Sequence, residues 1–195
     1  MAAYTKLPAT HKGKVIACIE LEKSRVLSRL IKTVSAVLAV ILFVIGYLLM
    51  PIEALLGMED LFFPLIVLML GMMAVSLVHE LLRGFLMRLI SGEKPVIRYA
   101  GSYPHAACDA YFDRFSQQIL NILPPIAVIA MALAFVLLAG SEGWKWIAWL
   151  IFTVAVCSGV RDAYVAWRLT MLPADILVMN VGPTYLVYSE EGTEG

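Results

Sequence analysis

The residues of this chain best equipped for chemistry stand on apolar stretches, where they are costly. His79, Glu80 and Arg83 close a run that opens LFFPLIVLMLGMMAVSLV, and Arg161 and Asp162 follow Ser158 and Gly159 in another. Gln117, Gln118 and Asn121 open a third. A charged side chain at the centre of a bilayer costs about 3 kcal/mol or more, so ionisable groups held there are functional candidates by default. Counting places two of them level. His79 lies 18 positions beyond Leu61, where its stretch begins, and Asp162 lies 18 positions beyond Trp144, where its own begins. At ~1.5 Å per helical residue, both stand about 27 Å from the outer end. An imidazole and a carboxylate at one depth on neighbouring helices can face one another, which is the geometry of a site.

The elements that must position them are written in the composition. The 195 residues are 61% apolar and 15% charged, with a mean hydropathy of +0.84. Soluble domains run about half apolar and a quarter charged. The excess falls into stretches at about 30–50, 61–90, 115–140 and 144–172, each long enough for the roughly 20 residues that cross a hydrocarbon core. Pro51 closes the first. Pro124 and Pro125 fall in the third and predict a kink or a broken first turn. Trp144, Trp146 and Trp149 cluster at the start of the fourth, as aromatics do at a membrane interface. Gly46, Gly71 and Gly84 suit close helix packing, and Met69, Met72 and Met73 suit lipid-facing or packing positions.

The net charge is zero, but its distribution is uneven. Lys6, Lys12, Lys14, Lys23, Arg25 and Arg29 precede the first stretch, and Arg88, Lys94, Arg98 and Arg114 lie between the second and third. The loop PIEALLGMED has no basic residue and SEGWK only Lys145. The excess of Lys and Arg therefore assigns both termini and the 91–114 loop to the cytoplasmic side of the cell membrane. Three dispersed cysteines, Cys18, Cys108 and Cys157, form no disulfide framework, and no cleavable signal peptide is expected. The segments at about 13–22, 94–103 and 175–188 are β-rich and turn-bounded, and a single small sheet of N-terminal strand, middle loop and C-terminal hairpin is expected beneath the helices. The tail EEGTEG reads as disordered. The expected fold is all-α membrane, one domain: a four-transmembrane-helix bundle with a small cytoplasmic β-sheet or hairpin.

The segment VHELLR at 78–83 compares with the HExxH helix, in which two histidines one turn apart bind zinc and the glutamate is the base. With YAGSYPHAACDAYFDR, ILPP and SGVRDAYVAWRLTMLPADILVMNVGPTYLVY, the chain over roughly 60–190 resembles a family of small bacterial membrane proteins of the zincin peptidase type. These look like minimal relatives of the site-2-protease class of intramembrane zinc metallopeptidases. The resemblance implies His79 as a zinc ligand, Glu80 as catalytic base and Asp162 as the third ligand. Arg83 stands where the second histidine belongs, and a guanidinium has no lone pair to give a metal. Two protein ligands fall short of the three usual at a catalytic zinc.

Two resolutions follow. His105, or Cys108 or Asp109, folds back as a substitute ligand and the chain is an active zinc peptidase. Alternatively, Arg83 replaces the metal, pairing with Glu80 and Asp162, and the chain is a pseudoprotease engaged in binding or regulation. The second is the leading expectation, with zinc absent or weak. Plainer readings compete. The 79–83 group can be a polar helix end with Arg83 and Arg88 snorkelling to headgroups, Arg161 can reach a phosphate, and the charges can form a structural ion pair in a packing or transport protein. His105 is then a loop histidine and Cys108 an inert thiol, and Asn121 beside Pro124 lines a cavity or marks a kink. The expected partners are the lipid bilayer and a membrane protein or peptide. No glycine-rich phosphate loop is present, and nothing points to nucleic acid or an organic cofactor.

Overall fold

A computed structural model of the chain describes residues 3–4, 15–20, 24–100, 103–181 and 184–189. Lys6, Lys12, Lys14, Lys23 and the tail 190–195, on which expectations of charge and disorder were placed, lie outside the described residues. Among those described, four helices are long and apolar enough to cross a membrane: α1 (Arg25–Leu49), α3 (Phe62–Ser91), α4 (Arg114–Leu138) and α5 (Glu142–Thr170). A single turn, α2 (Glu53–Leu56), interrupts the first connection. The strands are β1 (Ala3–Tyr4), β2 (Val15–Glu20), β3 (Val96–Ala100), β4 (Tyr103–Ala107), β5 (Tyr111–Asp113), β6 (Leu177–Val181) and β7 (Thr184–Tyr188). The chain divides into two compact units, Met1–Arg29 with Glu80–Pro124 and Arg161–Gly195, and Leu30–His79 with Pro125–Val160.

Local chemistry sets the helix ends. The hydroxyl of Ser24 accepts from the Leu27 N–H at 3.3 Å and starts α1 five residues before the expected apolar boundary. Asp113 caps α4 by accepting from the Ser116 N–H at 2.7 Å. Gly92, at φ 75, ends α3 with its N–H on the Arg88 carbonyl at 2.8 Å.

The unit containing 30–79 and 125–160 consists of helices and the turns between them and packs through small residues and indole donors. A Cβ on Gly46 would stand 2.4 Å from Trp149 Nε1, and one on Gly71 would stand 2.4 Å from the end of Ile151. The glycines thus let neighbouring backbones approach. Through the gap at Gly46, the Trp149 indole donates to the Leu42 carbonyl at 2.9 Å. Trp146 is fully buried, with its indole N–H on the Pro51 carbonyl at 3.0 Å. Ser35 and Cys157 exchange hydrogen bonds, each side chain donating to the other's carbonyl at 3.3 and 3.4 Å.

The other unit holds the sheets. Its antiparallel five-stranded sheet runs β1-β5-β6-β7-β2, and β3 and β4 form a hairpin of their own. The expectation of one sheet holding 94–103 is therefore corrected. It is Tyr111–Asp113 that enters the main sheet from the middle loop, because Asp113 leads directly into α4 and ties β5 to that helix. Met87, Ala106, Cys108, Ala110, Phe112 and Leu120 form an apolar cluster in this unit. Gly84 differs from the two tight glycines. A Cβ there would meet Pro95 at 3.5 Å, an ordinary contact.

Gly46→Ala is expected to destabilise the detergent-solubilised protein by about 1–3 kcal/mol, because the Trp149 ring must move. Gly84→Ala should be neutral or slightly stabilising through helix propensity. Equal losses at the two positions in thermal unfolding would refute this packing assignment.

Candidate functional site

Two carboxylates and a guanidinium are buried together in the unit that carries the sheets: Glu80 at 6% exposure, Arg83 at 5% and Asp162 at 3%. Glu80 and Arg83 are one turn apart on α3, the i,i+3 spacing at which helical side chains meet. Arg83 Nη1 donates to Glu80 Oε1 at 3.1 Å, and Arg83 Nη2 donates to Asp162 Oδ1 from α5. The planar fork of a guanidinium suits two carboxylates arriving from different elements.

The third partner is a backbone group released by proline. Pro124 has no N–H to return to the carbonyl of Leu120, four residues earlier. That carbonyl accepts from Arg83 Nε at 3.3 Å. Helix α4 runs from Arg114 to Leu138, so of the kink or broken turn expected at Pro124–Pro125 the break does not occur. A proline inside an apolar helix is tolerated where a neighbour re-satisfies the freed group, and Arg83 is that neighbour. Glu80 Oε2 in turn accepts from the Ala106 N–H at 2.8 Å, which joins β4 to α3. Removing Arg83 would leave two buried carboxylates without their cation.

A neutral polar group adjoins the charges. The Tyr185 hydroxyl donates to Asn121 Oδ1 at 3.2 Å, and Gln117 Nε2 reaches the same oxygen at 3.5 Å. Burial holds the Tyr185 phenol above its usual pKa, with the Arg83 charge opposing and the Asp162 carboxylate adding to the shift. Tyr185 is fully buried on β7, opposite Asn180 of β6.

The other candidates are distributed as follows. His79 is buried on α3 and His105 on β4, beside the Ala106 that meets Glu80. Cys108 points elsewhere: it belongs to the apolar cluster with Met87 and Phe112, and its sulfur lies 3.7 Å from Ser91 Oγ. Burial raises its thiol pKa, the Ser91 contact opposing. Asp109 is exposed. Gln118 and Arg161 are half-buried.

The donor set does not fit zinc as it stands. Arg83 occupies the position of the second HExxH histidine, and its fork is engaged with Glu80, the candidate base, and Asp162, the candidate third ligand. A cation inserted between these carboxylates would meet a guanidinium charge already there. Among the described residues, no group of three or more His, Cys, Asp or Glu side chains is arranged to hold a metal ion. Comparison with protein-family models, curated proteins and solved structures returns no match.

Sequence reasoning did not reach Tyr185, the Ala106 N–H or the Leu120 carbonyl. The last carried a readable signal, since every helical proline frees the carbonyl four residues before it. Tyr185 carried none beyond alternation in a strand.

Arg83→Met is expected to cost about 3–5 kcal/mol, the usual penalty for stranding buried charge. Combining it with Glu80→Gln and Asp162→Asn should recover most of that loss in thermal unfolding. A single variant no less stable than the triple one would refute the role of Arg83 as countercharge.

Proposed function

We propose that this chain is a four-span membrane protein with both termini cytoplasmic, built on a zincin-like scaffold in which Arg83 takes the place of the metal. It acts as a pseudoprotease, binding or regulating a membrane protein or peptide rather than cleaving it. The observation that carries this reading is the Arg83 guanidinium seated on both Glu80 and Asp162. Those are the residues to which the HExxH and SG…D resemblance gives the roles of base and acidic ligand.

The membrane placement rests on how apolar surface is displayed. Only 6% of the most apolar window of α1 is buried, and Val40 and Leu48 are exposed at 63% and 75%. Contiguous apolar surface of this extent suits hydrocarbon as its solvent. Orientation rests on Arg25, Arg29, Arg88 and Lys94 at one set of helix ends, against a 51–60 connection without Lys or Arg.

A second reading, an active zinc peptidase with His105 as substitute ligand, draws on one contact. The Ala106 N–H on Glu80 holds the strand that carries His105 against α3. Elemental mass spectrometry of the detergent-purified protein separates the two. The pseudoprotease reading expects well below one zinc per chain, rising towards one in Arg83→His, where both helix positions i and i+4 become imidazoles. Stoichiometric zinc in the unaltered protein would overturn it in favour of the peptidase. A folded Arg83→His that holds no zinc, like the unaltered protein, would count against a zincin scaffold of either kind.

Orientation has its own test. Cys18 is exposed on β2, whereas Cys108 is buried. A membrane-impermeant maleimide should label Cys18 in inside-out vesicles and spare it in right-side-out ones. The reverse pattern would invert the topology.

A further inference from the structure

We propose an internal hydration site between the buried face of the β6–β7 hairpin and α4, where water joins the amides of Asn180, Gln117 and Asn121. The inference is independent of the reading of the charged trio as a zincin relic.

Asn180 is 1% exposed, and its neighbours on the buried sheet face are Val178, Val187 and, directly opposite, Tyr185. Among the described residues, neither its amide oxygen nor its amide nitrogen has a hydrogen-bond partner. Gln117 Oε1 and Asn121 Nδ2 on α4 share that condition. Gln117 and Asn121 are four residues apart, on one helix face, and both are fully buried. Tyr185 connects the two sides, since it faces Asn180 across the ladder and bonds Asn121 through its hydroxyl. The unmatched atoms are two acceptors, Asn180 Oδ1 and Gln117 Oε1, and two donors, Asn180 Nδ2 and Asn121 Nδ2.

The chemistry of that set selects its ligand. Buried polar atoms in folded proteins are almost all satisfied, by protein or by ordered water. An anion would suit the donors and repel the acceptors, a cation the reverse, and an apolar filler would strand all of them. Water donates and accepts twice, and buried waters make about three hydrogen bonds each. Exchanging the oxygen and nitrogen of Asn180 changes nothing, because both are unmatched. The site also has a consequence for the charges. Tyr185 feels the fields of Arg83, Asp162 and Glu80, so water beside it extends a polar environment towards two carboxylates that share one guanidinium.

Radiolytic hydroxyl-radical footprinting of the full chain in detergent tests this, because radicals born at a bound water oxidise the side chain beside it. Tyr185 should be oxidised several-fold faster than Phe112, an equally buried ring in the apolar cluster. Equal, slow labelling of both rings would overturn the proposal. Asn180→Leu supplies a second readout by its sign. If water satisfies the amide, the variant loses on the order of 2–4 °C in Tm and Tyr185 labelling slows. A rise in Tm would mean that the amide was an orphan and would overturn the proposal. Should the variant fail to fold, the Tyr185-to-Phe112 ratio in the unaltered chain decides.

Discussion

A guanidinium shared between two carboxylates and a carbonyl organises the unit that carries the sheets, and each partner comes from a separate place in the chain. Glu80 lies one turn earlier on α3, Asp162 lies on α5, and the Leu120 carbonyl belongs to α4. Arginine is suited to this because its donors are fixed in one plane and its charge survives burial. The attraction within the trio is large where the dielectric is low, but so is the cost of drying three charges. The net gain over an apolar core is therefore small. What the arrangement confers is intolerance of error at its centre, since the loss of Arg83 takes the shared charge from both carboxylates at once. That penalty fixes the register of three helices more sharply than the packing of leucines could.

Proline has a part in this lock. At Pro124, the chain gives up a helical hydrogen bond in a setting with few alternatives, and Arg83 Nε supplies the missing donor. The helix continues because the defect is answered from outside it. The same logic explains why the helix is not broken at Pro124–Pro125, one of the two outcomes expected there: the compensation comes from a residue far away in sequence.

What was legible follows a similar division. Long apolar stretches identify helices by length and composition alone, and α3, α4 and α5 lie within about two residues of their expected bounds. The start of α1 moved because a serine cap and two arginines extend it beyond the apolar run. Equal depth pointed from Asp162 to His79, whereas the bond runs to Arg83, one turn further along α3. The Glu80–Arg83 contact was readable from i,i+3 spacing. Strand partnership was not, because alternation says which face a residue takes and not which strand lies beside it. Hence the 94–103 segment was expected in the main sheet, whereas Tyr111–Asp113, short but tethered to a helix by Asp113, takes that place.

On the proposed reading, a guanidinium in place of a metal ion explains how such a scaffold could outlive its chemistry. Both provide positive charge at the point where carboxylates converge, so the electrostatic reason for the helices to meet there is retained. They differ in what remains available. A catalytic metal keeps an exchangeable position and acidifies the water held in it. Arg83 directs its Nε and both terminal nitrogens at protein acceptors, and both oxygens of Glu80 have donors, in Arg83 and Ala106. A site so committed holds its elements in register and offers a reacting water no Glu80 oxygen free of those bonds. On the proposed reading, selection for binding or regulation can act on the surrounding surfaces while the centre persists as structure.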